Sequence, residues 1–416
     1  MHAQQIARLL GVALAATSLA QVARAVDRIL VLSAYSPEQA VLLATAGVDG
    51  PEDQLGVFNG RRFFAGRLAS HDVVLGLTGI GLVDARNTTR AALDGLASQG
   101  IAVSAIVFSG VGGGPNIGDV VVPDRWTDGS GSYPVNACMF GVASGLGDIP
   151  LSPYLPVEDV ACTGRDPALI PNTPVRIETD PVLRLGGLGQ SADPFNGRGV
   201  PCVGPPGPSL LGCEACGAPL NTSPDLLGTI AGLAPFLDPT FYLDLLTYFA
   251  SPPPPTGDPV MVDMETAAVA KLAGERGIPF LAFRAVSDGG GDPIFASALI
   301  GFPVQFLIYQ QLAADNAAAI ALGFLSRWNP PPALAIDPPS AVVRAGKEQQ
   351  FTASVPCLAS DEVVWSVAEA NSGTIDATGL YRAPKLLLAT RTVHVVAKSA
   401  INGQVSAVAT VTLTKN

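Results

Sequence analysis

Histidine is almost missing from this chain. His2, His71 and His394 are the three in 416 residues. His2 falls in an N-terminal stretch built like an export signal, and His394 falls in a C-terminal region of different composition. That leaves His71, beside Asp72 at the expected entry to a strand, which reads as a surface residue rather than a base. A Ser-His-Asp triad or a histidine-rich metal site is therefore not expected, and any chemistry must rest mainly on carboxylates. Charge is scarce as well: 14% of residues are charged, the net charge is −11, and no basic run occurs. Such a chain lacks the electrostatic footprint of a nucleic-acid or anionic-membrane binder, and its acidity reads as solubility. Long apolar runs are missing beyond the N-terminus. There, Arg8 precedes the run from Leu9 to Leu19 and Ala23-Arg24-Ala25 follows it, the pattern of a secretory signal too short to span a bilayer. Cleavage after Ala25 is expected. It leaves no membrane span and a mature protein in the periplasm or outside the cell.

Export makes the cysteines interpretable. Cys138, Cys162, Cys202, Cys213 and Cys216 share one loop-rich stretch, and Cys357 stands far off. An oxidising compartment favours disulfides among the first five. Because five is odd, one thiol is left over or pairs elsewhere. Cys213-Glu214-Ala215-Cys216 has the spacing of a redox or zinc motif, but no histidine is near and the surroundings are rich in glycine and proline, so structural bridges are favoured.

What the chain does have is 48% hydrophobic residues, 45 glycines and 36 prolines, the make-up of a compact, loop-rich protein of more than one domain. Apolar runs of strand length alternate with helical stretches: strands at 28–34, 61–68, 72–77, 105–108, 118–123, 260–264 and 279–286, and helices from Pro37, at 83–97, 265–276 and 302–325. That alternation predicts an α/β domain over residues 26–328. Between 126 and 255 the pattern weakens into a Cys/Pro/Gly-rich insertion, with short strands expected at 175–177 and 199–203 and a stiff proline spacer at 252–255. Residues 329–333 form a linker. Residues 334–416 alternate Val, Thr, Ala and Ser between turns, as a β-sandwich does, with Trp365 as the expected core aromatic.

Carboxylates stand where an α/β sheet binds ligands, at the carboxyl ends of strands. Glu265 follows the strand ending Val262-Asp263-Met264, and Asp288 ends Arg284-Ala285-Val286-Ser287-Asp288. Glu38 sits at the junction of the first strand and helix, where helix capping alone also accounts for it. Ser109-Gly110-Val111-Gly112-Gly113 opens a strand into a loop whose N–H groups are free to meet a ligand.

Three segments in this order resemble the nucleoside phosphorylase superfamily: Ser109 to Gly113 with Ile117-Gly118-Asp119-Val120-Val121-Val122-Pro123; Asp263-Met264-Glu265-Thr266-Ala267-Ala268-Val269-Ala270; and Arg284 to Asp288. The resemblance is nearest to the methylthioadenosine/S-adenosylhomocysteine nucleosidase branch, and Trp126 is also similar to plant bark storage proteins. It implies a three-layer α/β/α phosphorylase/hydrolase-like domain with a mixed central sheet. It further implies hydrolysis of the N-glycosidic bond of a purine nucleoside, of adenosine or methylthioadenosine type. By the resemblance Asp288 protonates the base, Glu38 activates water, Glu265 binds the ribose 2′ and 3′ hydroxyls and Met264 packs on the sugar. Val111, Gly112, Gly113 and Ser287 line the site. Val111 stands where these nucleosidases often carry a hydroxyl residue. No metal or organic cofactor is implied, and relatives are commonly homo-oligomers. Uridine phosphorylase relatives carry an arginine where this chain has Phe108, which favours water over phosphate as the nucleophile. Arg61, Arg62 or Arg86 are left to compensate, so the alternatives are a phosphate-dependent phosphorylase and a non-catalytic nucleoside-binding or storage protein. Val364-Trp365-Ser366-Val367 with Gly373 to Tyr381 and Ala383-Pro384 resembles bacterial Ig-like domains, implying an all-β sandwich acting as a spacer.

Overall fold

A computed structural model describes residues 26–156, 173–202, 212–219, 238–251, 254–289, 301–329, 334–354, 362–400 and 406–415. The expected export signal, Cys162, Cys357, and most of the proline spacer and linker lie outside those residues or at their edges.

Strand β1 (Val26–Ser33) is buried from Ile29 to Ser33. An apolar run with no alternation belongs at the centre of a sheet covered on both faces. Its neighbours follow in chain order. Strands β2 (Gln54–Phe58), β3 (Arg61–Leu68) and β4 (His71–Leu77) form an antiparallel meander, and β4 lies parallel to β1. Strand β5 (Ile101–Gly113) lies parallel to β1 on its other side. Next come β6 (Val120–Val122), β7 (Arg125–Thr127) and β8 (Ser132–Pro134), a small ladder of β9 (Tyr154–Leu155) with β10 (Val175–Arg176), then β11 (Leu183–Leu185), β12 (Leu188–Ser191), β13 (Pro259–Asp263) and β14 (Phe280–Asp288). Among the described residues twelve of these strands make one mixed sheet, in the order β2-β3-β4-β1-β5-β13-β12-β7-β8, with β14 on β5 and β6 and β11 on β6.

Helices cover this sheet in two pairs. Leu82–Ser98 packs on Thr266–Glu275, and Ser36–Thr45 packs on Gly301–Arg327, which also lies along β5 and β14. The result is the expected three-layer α/β/α domain. The long helix approaches the sheet through small residues: Ala313, Ala314, Ala317, Ala318 and Ala321 are all buried. Phe324 meets Phe283 of β14 at 5.4 Å between ring centroids. Among the described residues no helix is long and apolar enough to cross a membrane.

Three expectations need correction. The stretch read as an insertion contributes to the central sheet, because β7 and β12 pair with each other and β12 pairs with β13. Trp126 is fully buried there. Strands of three or four residues hold too few alternations to show a period. The strand expected at 199–203 does not form over 199–202. Val200 is instead held by its backbone, its N–H donating to Asp84 and its carbonyl accepting from Arg61. Trp365 is only partly buried, and the fully buried aromatics of the C-terminal domain are Phe351 and Tyr381.

The cysteine-rich stretch carries bridges as expected. Cys202 pairs with Cys213, Cys138 and Cys216 are disulfide-bonded as well, and none is free among the described residues. Cys213 is thus not paired with Cys216, and the Cys-x-x-Cys spacing is not a redox dithiol. His71 is half-buried, with Nε2 at 3.0 Å and 2.8 Å from the carbonyls of Leu325 and Trp328, at the C-terminal end of the long helix.

The C-terminal region is all β. Ser340–Arg344, Val363–Val367, Arg391–Ser399 and Ser406–Thr414 form one sheet, and Glu348–Gln350, Thr374–Ile375 and Leu380–Arg382 form another. Its core, including Val343, Phe351, Tyr381, Val395 and Leu413, is separate from the core of the α/β domain. Two cores imply two unfolding units. Phe351→Ala should lower the stability of the C-terminal unit by about 3–5 kcal/mol. In calorimetry one transition should move and the other stay; a common shift of both would show a single cooperative unit.

Candidate active site

The site is built around a cation that the sheet buries. Arg284 interrupts the apolar run of β14, every residue of which is buried, and its side chain has no exposure. A guanidinium taken out of water must be met by charge and hydrogen bonds inside the protein. Its Nη2 lies 2.8 Å from Asp263 Oδ2 and 3.2 Å from Glu265 Oε2. Its Nη1 lies 3.4 Å from Glu38 Oε1 and donates to the Val111 carbonyl at 3.0 Å. Its Nε donates to Thr266 Oγ1 at 2.9 Å, and the Phe108 ring centroid stands 4.2 Å from its central carbon. The sequence motif contained Arg284, yet its role was not read from it. The available signal was an arginine inside an otherwise apolar strand, which requires buried partners.

Four segments supply the surrounding groups. Glu38, in the first turn of helix Ser36–Thr45, accepts from the N–H groups of Ala34 at 2.5 Å, Tyr35 at 3.3 Å and Val111 at 2.7 Å. Glu38 thus caps the helix and reaches the glycine-rich end of β5 at once. Gly110 is required by this approach: a Cβ there would stand 2.5 Å from both Arg284 Nη1 and Glu38 Oε1. Glu265 occupies the N-cap position of helix Thr266–Glu275, and its Oε1 accepts from Gly81 N–H at 2.9 Å. Asp263 accepts from the N–H groups of Glu265 and Thr266 and from the hydroxyls of Ser191 and Thr266. These bonds make Asp263 the anchor of the helix start as well as a partner of Arg284.

Asp288 is set apart. Strands β5 and β14 pair in parallel, with Val286 opposite Gly112 and Asp288 opposite Gly113. A Cβ on Gly113 would lie 3.1 Å from Asp288 Oδ2. Ser287 Oγ donates to Asp288 Oδ1 at 2.7 Å. Among the described residues no cation stands within ion-pair distance of Asp288, in contrast to the other three carboxylates.

These surroundings separate the acidities. Burial pushes Asp288 up to about 6, against the Ser287 hydrogen bond. Burial pushes Glu265 up to about 8, with Arg284 opposing and Asp263 and Glu38 adding. Glu38 is raised too, by burial, against the pull of Arg284 and three N–H donors. Burial works against the charge of Arg284, but Asp263, Glu38 and Glu265 together hold its pKa above the ordinary value. Burial thus works against the charge of Glu265, and Arg284 is what opposes that upward push.

Met264 is half-buried and leans on a small apolar cluster of Phe195, Val200 and Phe241, which Ile80 and Leu245 join. Phe195 and Phe241 stack at 5.8 Å with 9° between their planes. This wall comes from the stretch in which the sequence showed least. Tyr35 is a further neighbour that sequence reasoning did not single out. Its hydroxyl lies 3.2 Å from Gln310 Oε1 of the long helix. Its pKa is raised by burial and then by the charges of Glu38, Asp288 and Glu265. Arg62 is committed elsewhere, to Glu214 and to the Pro219 carbonyl at 2.7 Å.

Comparison with known proteins gives the following. A family model described as the phosphorylase superfamily matches residues 28–162 and 256–326, which include Glu38, Val111 to Gly113, Met264, Glu265, Ser287 and Asp288. The uncharacterized protein Rv2293c of Mycobacterium tuberculosis is 35% identical over 185 residues, covering 42% of this chain and 72% of that protein. The uncharacterized protein Mb2315c of Mycobacterium bovis is 52% identical over 67 residues, covering 16% of this chain and 86% of that protein. Among solved structures, the 5′-methylthioadenosine/S-adenosylhomocysteine nucleosidase of Neisseria meningitidis is 18% identical with a TM-score of 0.42, covering 72% of this chain and 99% of that one. The futalosine hydrolase of Helicobacter pylori is 16% identical with a TM-score of 0.43, covering 73% and 99%.

Removing the cation tests the electrostatic account. Arg284→Met leaves buried carboxylates unmatched and should cost about 3–5 kcal/mol near pH 8. The sign of the pH dependence follows from the raised values of Glu38 and Glu265: the folded state holds protons that the unfolded state releases, so stability is lost as pH rises. Urea midpoints of the variant should therefore recover towards wild type at pH 5. An equal deficit at both pH values would contradict the cluster as drawn.

Proposed function

The chain belongs to the phosphorylase superfamily, and from that premise we propose that its site hydrolyses the N-glycosidic bond of a purine nucleoside. The observation that carries the reading is the division among the carboxylates: Asp288, raised to about 6 and without a cation among the described residues, beside Glu38 and Glu265 joined through Arg284.

Departure of a purine from ribose develops positive charge on the sugar and negative charge on the base. Asp288 protonates the leaving base, for which a buried acid with a value near neutral is suited. Glu265 binds the 2′ and 3′ hydroxyls. A vicinal diol both donates and accepts, so Glu265 serves it in either protonation state. Glu38, fixed by three N–H donors and oriented by Arg284, takes the proton from the attacking water. The N–H and carbonyl groups around Val111 to Gly113 line the sugar, Ser287 steadies Asp288, and Met264 with its apolar cluster covers the ribose.

Water rather than phosphate suits the position beside Glu38 and Arg284. A phosphate needs cationic or N–H donors free to receive it, whereas the guanidinium of Arg284 is fully engaged and the carboxylates around it repel an anion. Phe108, where a phosphate-binding arginine would stand, lies against Arg284 instead.

Export of the mature protein is part of the proposal, supported by the Cys202–Cys213 bridge and by the expected cleavage after Ala25. Sequencing the N-terminus of protein recovered from the native host should begin at Val26; an intact Met1 in the cytosol would remove this part.

Asp288→Asn should lower kcat/KM for base release by about 10²–10⁴-fold with the fold intact. In the wild type, kcat/KM should fall as pH rises through about 6, because Asp288 must carry its proton to act. A variant as active as wild type, or a rate that climbs steadily from pH 5 to 8, would contradict the assignment.

A further inference from the structure

One buried cation beside the site is left without a full complement of partners. Arg61 is 2% exposed. Its Nη1 donates to the Asn59 carbonyl and its Nη2 to the Val200 carbonyl, each at 3.1 Å. Its Nε has no hydrogen-bond partner among the described residues. The nearest carboxylate, Asp84, stands at 3.7 Å, and Asp84 already accepts from Val200 N–H and from Asn59 at 3.4 Å. Burial outweighs their attraction on both sides, lowering Arg61 and raising Asp84. Native proteins seldom leave a buried donor unmet without a ligand or a water to meet it.

Arg61 also lines a cavity, together with Ala34, Gly79, Ile80, Val200, Pro201, Cys202 and Gly212. The guanidinium lies directly on Gly79, where a Cβ would be 2.0 Å from Nη2. Two of these lining segments also hold the carboxylates of the site. Ala34 N–H donates to Glu38 and its carbonyl accepts from Gly79 N–H at 3.0 Å. Gly81, two residues on, donates to Glu265. Ile80 and Val200 belong both to this cavity and to the apolar cluster that Met264 joins. A continuous surface thus runs from Glu265 along Met264, Ile80 and Val200 to Arg61. The room at its end suits one water or one oxygen of an acidic group.

We propose that Arg61 receives an anionic group, carboxylate or phosphate, carried on the 5′ side of the nucleoside. This rests on the nucleosidase reading. With the base on Asp288 and the 2′ and 3′ hydroxyls on Glu265, the 5′ substituent is the part of the substrate left to follow that surface. Arg61 is then a specificity-determining residue: an oxygen of the substituent accepts from Nε and completes the pairing that Asp84 leaves unfinished. The reaction itself is unchanged.

The test uses the full-length mature protein and three probes: adenosine, adenosine 5′-monophosphate and adenosine 5′-carboxylate. For each, kcat/KM for base release and the calorimetric Kd are measured on wild type, Arg61→Gln and Arg61→Lys. Wild type should favour one acidic probe over adenosine by tenfold or more, and the favoured probe tells phosphate from carboxylate. Arg61→Gln should narrow that ratio at least tenfold, and Arg61→Lys should keep part of it. Since the readout is a ratio within each protein, a general loss of stability does not imitate it. Equal or better use of adenosine by wild type would overturn the proposal and leave the nucleosidase reading standing, with the cavity holding only water. If none of the three probes releases its base, the Kd ratios alone decide Arg61: tighter binding of an acidic probe that Arg61→Gln abolishes supports the subsite, and equal binding overturns it.

Discussion

The structure depends on the burial of one guanidinium. Arg284 lies on a strand with no exposure, where an unmatched charge would cost several kcal/mol. Its partners come from three segments distant in sequence: Glu38 after β1, Val111 on β5, and Asp263 with Glu265 at the turn after β13. Each of those contacts fixes something else. Glu38 closes the first turn of its helix, Asp263 caps another, and Gly110 is held to a residue without a side chain. The order of strands at the centre of the sheet and the geometry of the site are therefore one constraint seen from two sides.

The same constraint separates the chemistry of the carboxylates. Those bound to Arg284 are fixed in position and ionise against one another, while Asp288 ends the strand that carries Arg284, buried and with no cation within ion-pair distance among the described residues. Identical functional groups acquire different tasks from different surroundings. A site with few histidines can in this way supply both a proton donor near neutral pH and a proton acceptor.

Much of this was legible in the sequence, and for physical reasons. Apolar runs such as Ile29–Leu32 and Phe280–Phe283 are long enough to declare buried strands, and the positions of Glu38, Glu265 and Asp288 at strand ends followed directly. Arg284 was visible as a residue but not as the centre, because its partners are contacts between segments and no local spacing encodes them. The wall of Phe195, Val200 and Phe241 was not legible for a similar reason. Phe195 and Val200 stand on a loop tied down by Asp84, Arg61 and a disulfide, and Phe241 comes from the separate helix Pro239–Ala250, so no single periodic pattern joins them. Short strands such as β7 and β12 escaped because three or four residues carry no readable period. In the C-terminal domain the fold class was clear from alternation, but the choice of core aromatic was not: Trp365 is partly buried, whereas Phe351 and Tyr381 fill the interior.

The central claim is that a purine nucleoside is cleaved here by water, with carboxylates arranged around a fully committed arginine. The most direct measurement is release of base from a panel of purine and pyrimidine nucleosides, including methylthioadenosine, in buffer free of phosphate and again with phosphate added. The account predicts free base and free ribose at the same rate in both buffers, for purines. Release that requires phosphate and yields ribose 1-phosphate, or no release from any nucleoside by the folded protein, would contradict it.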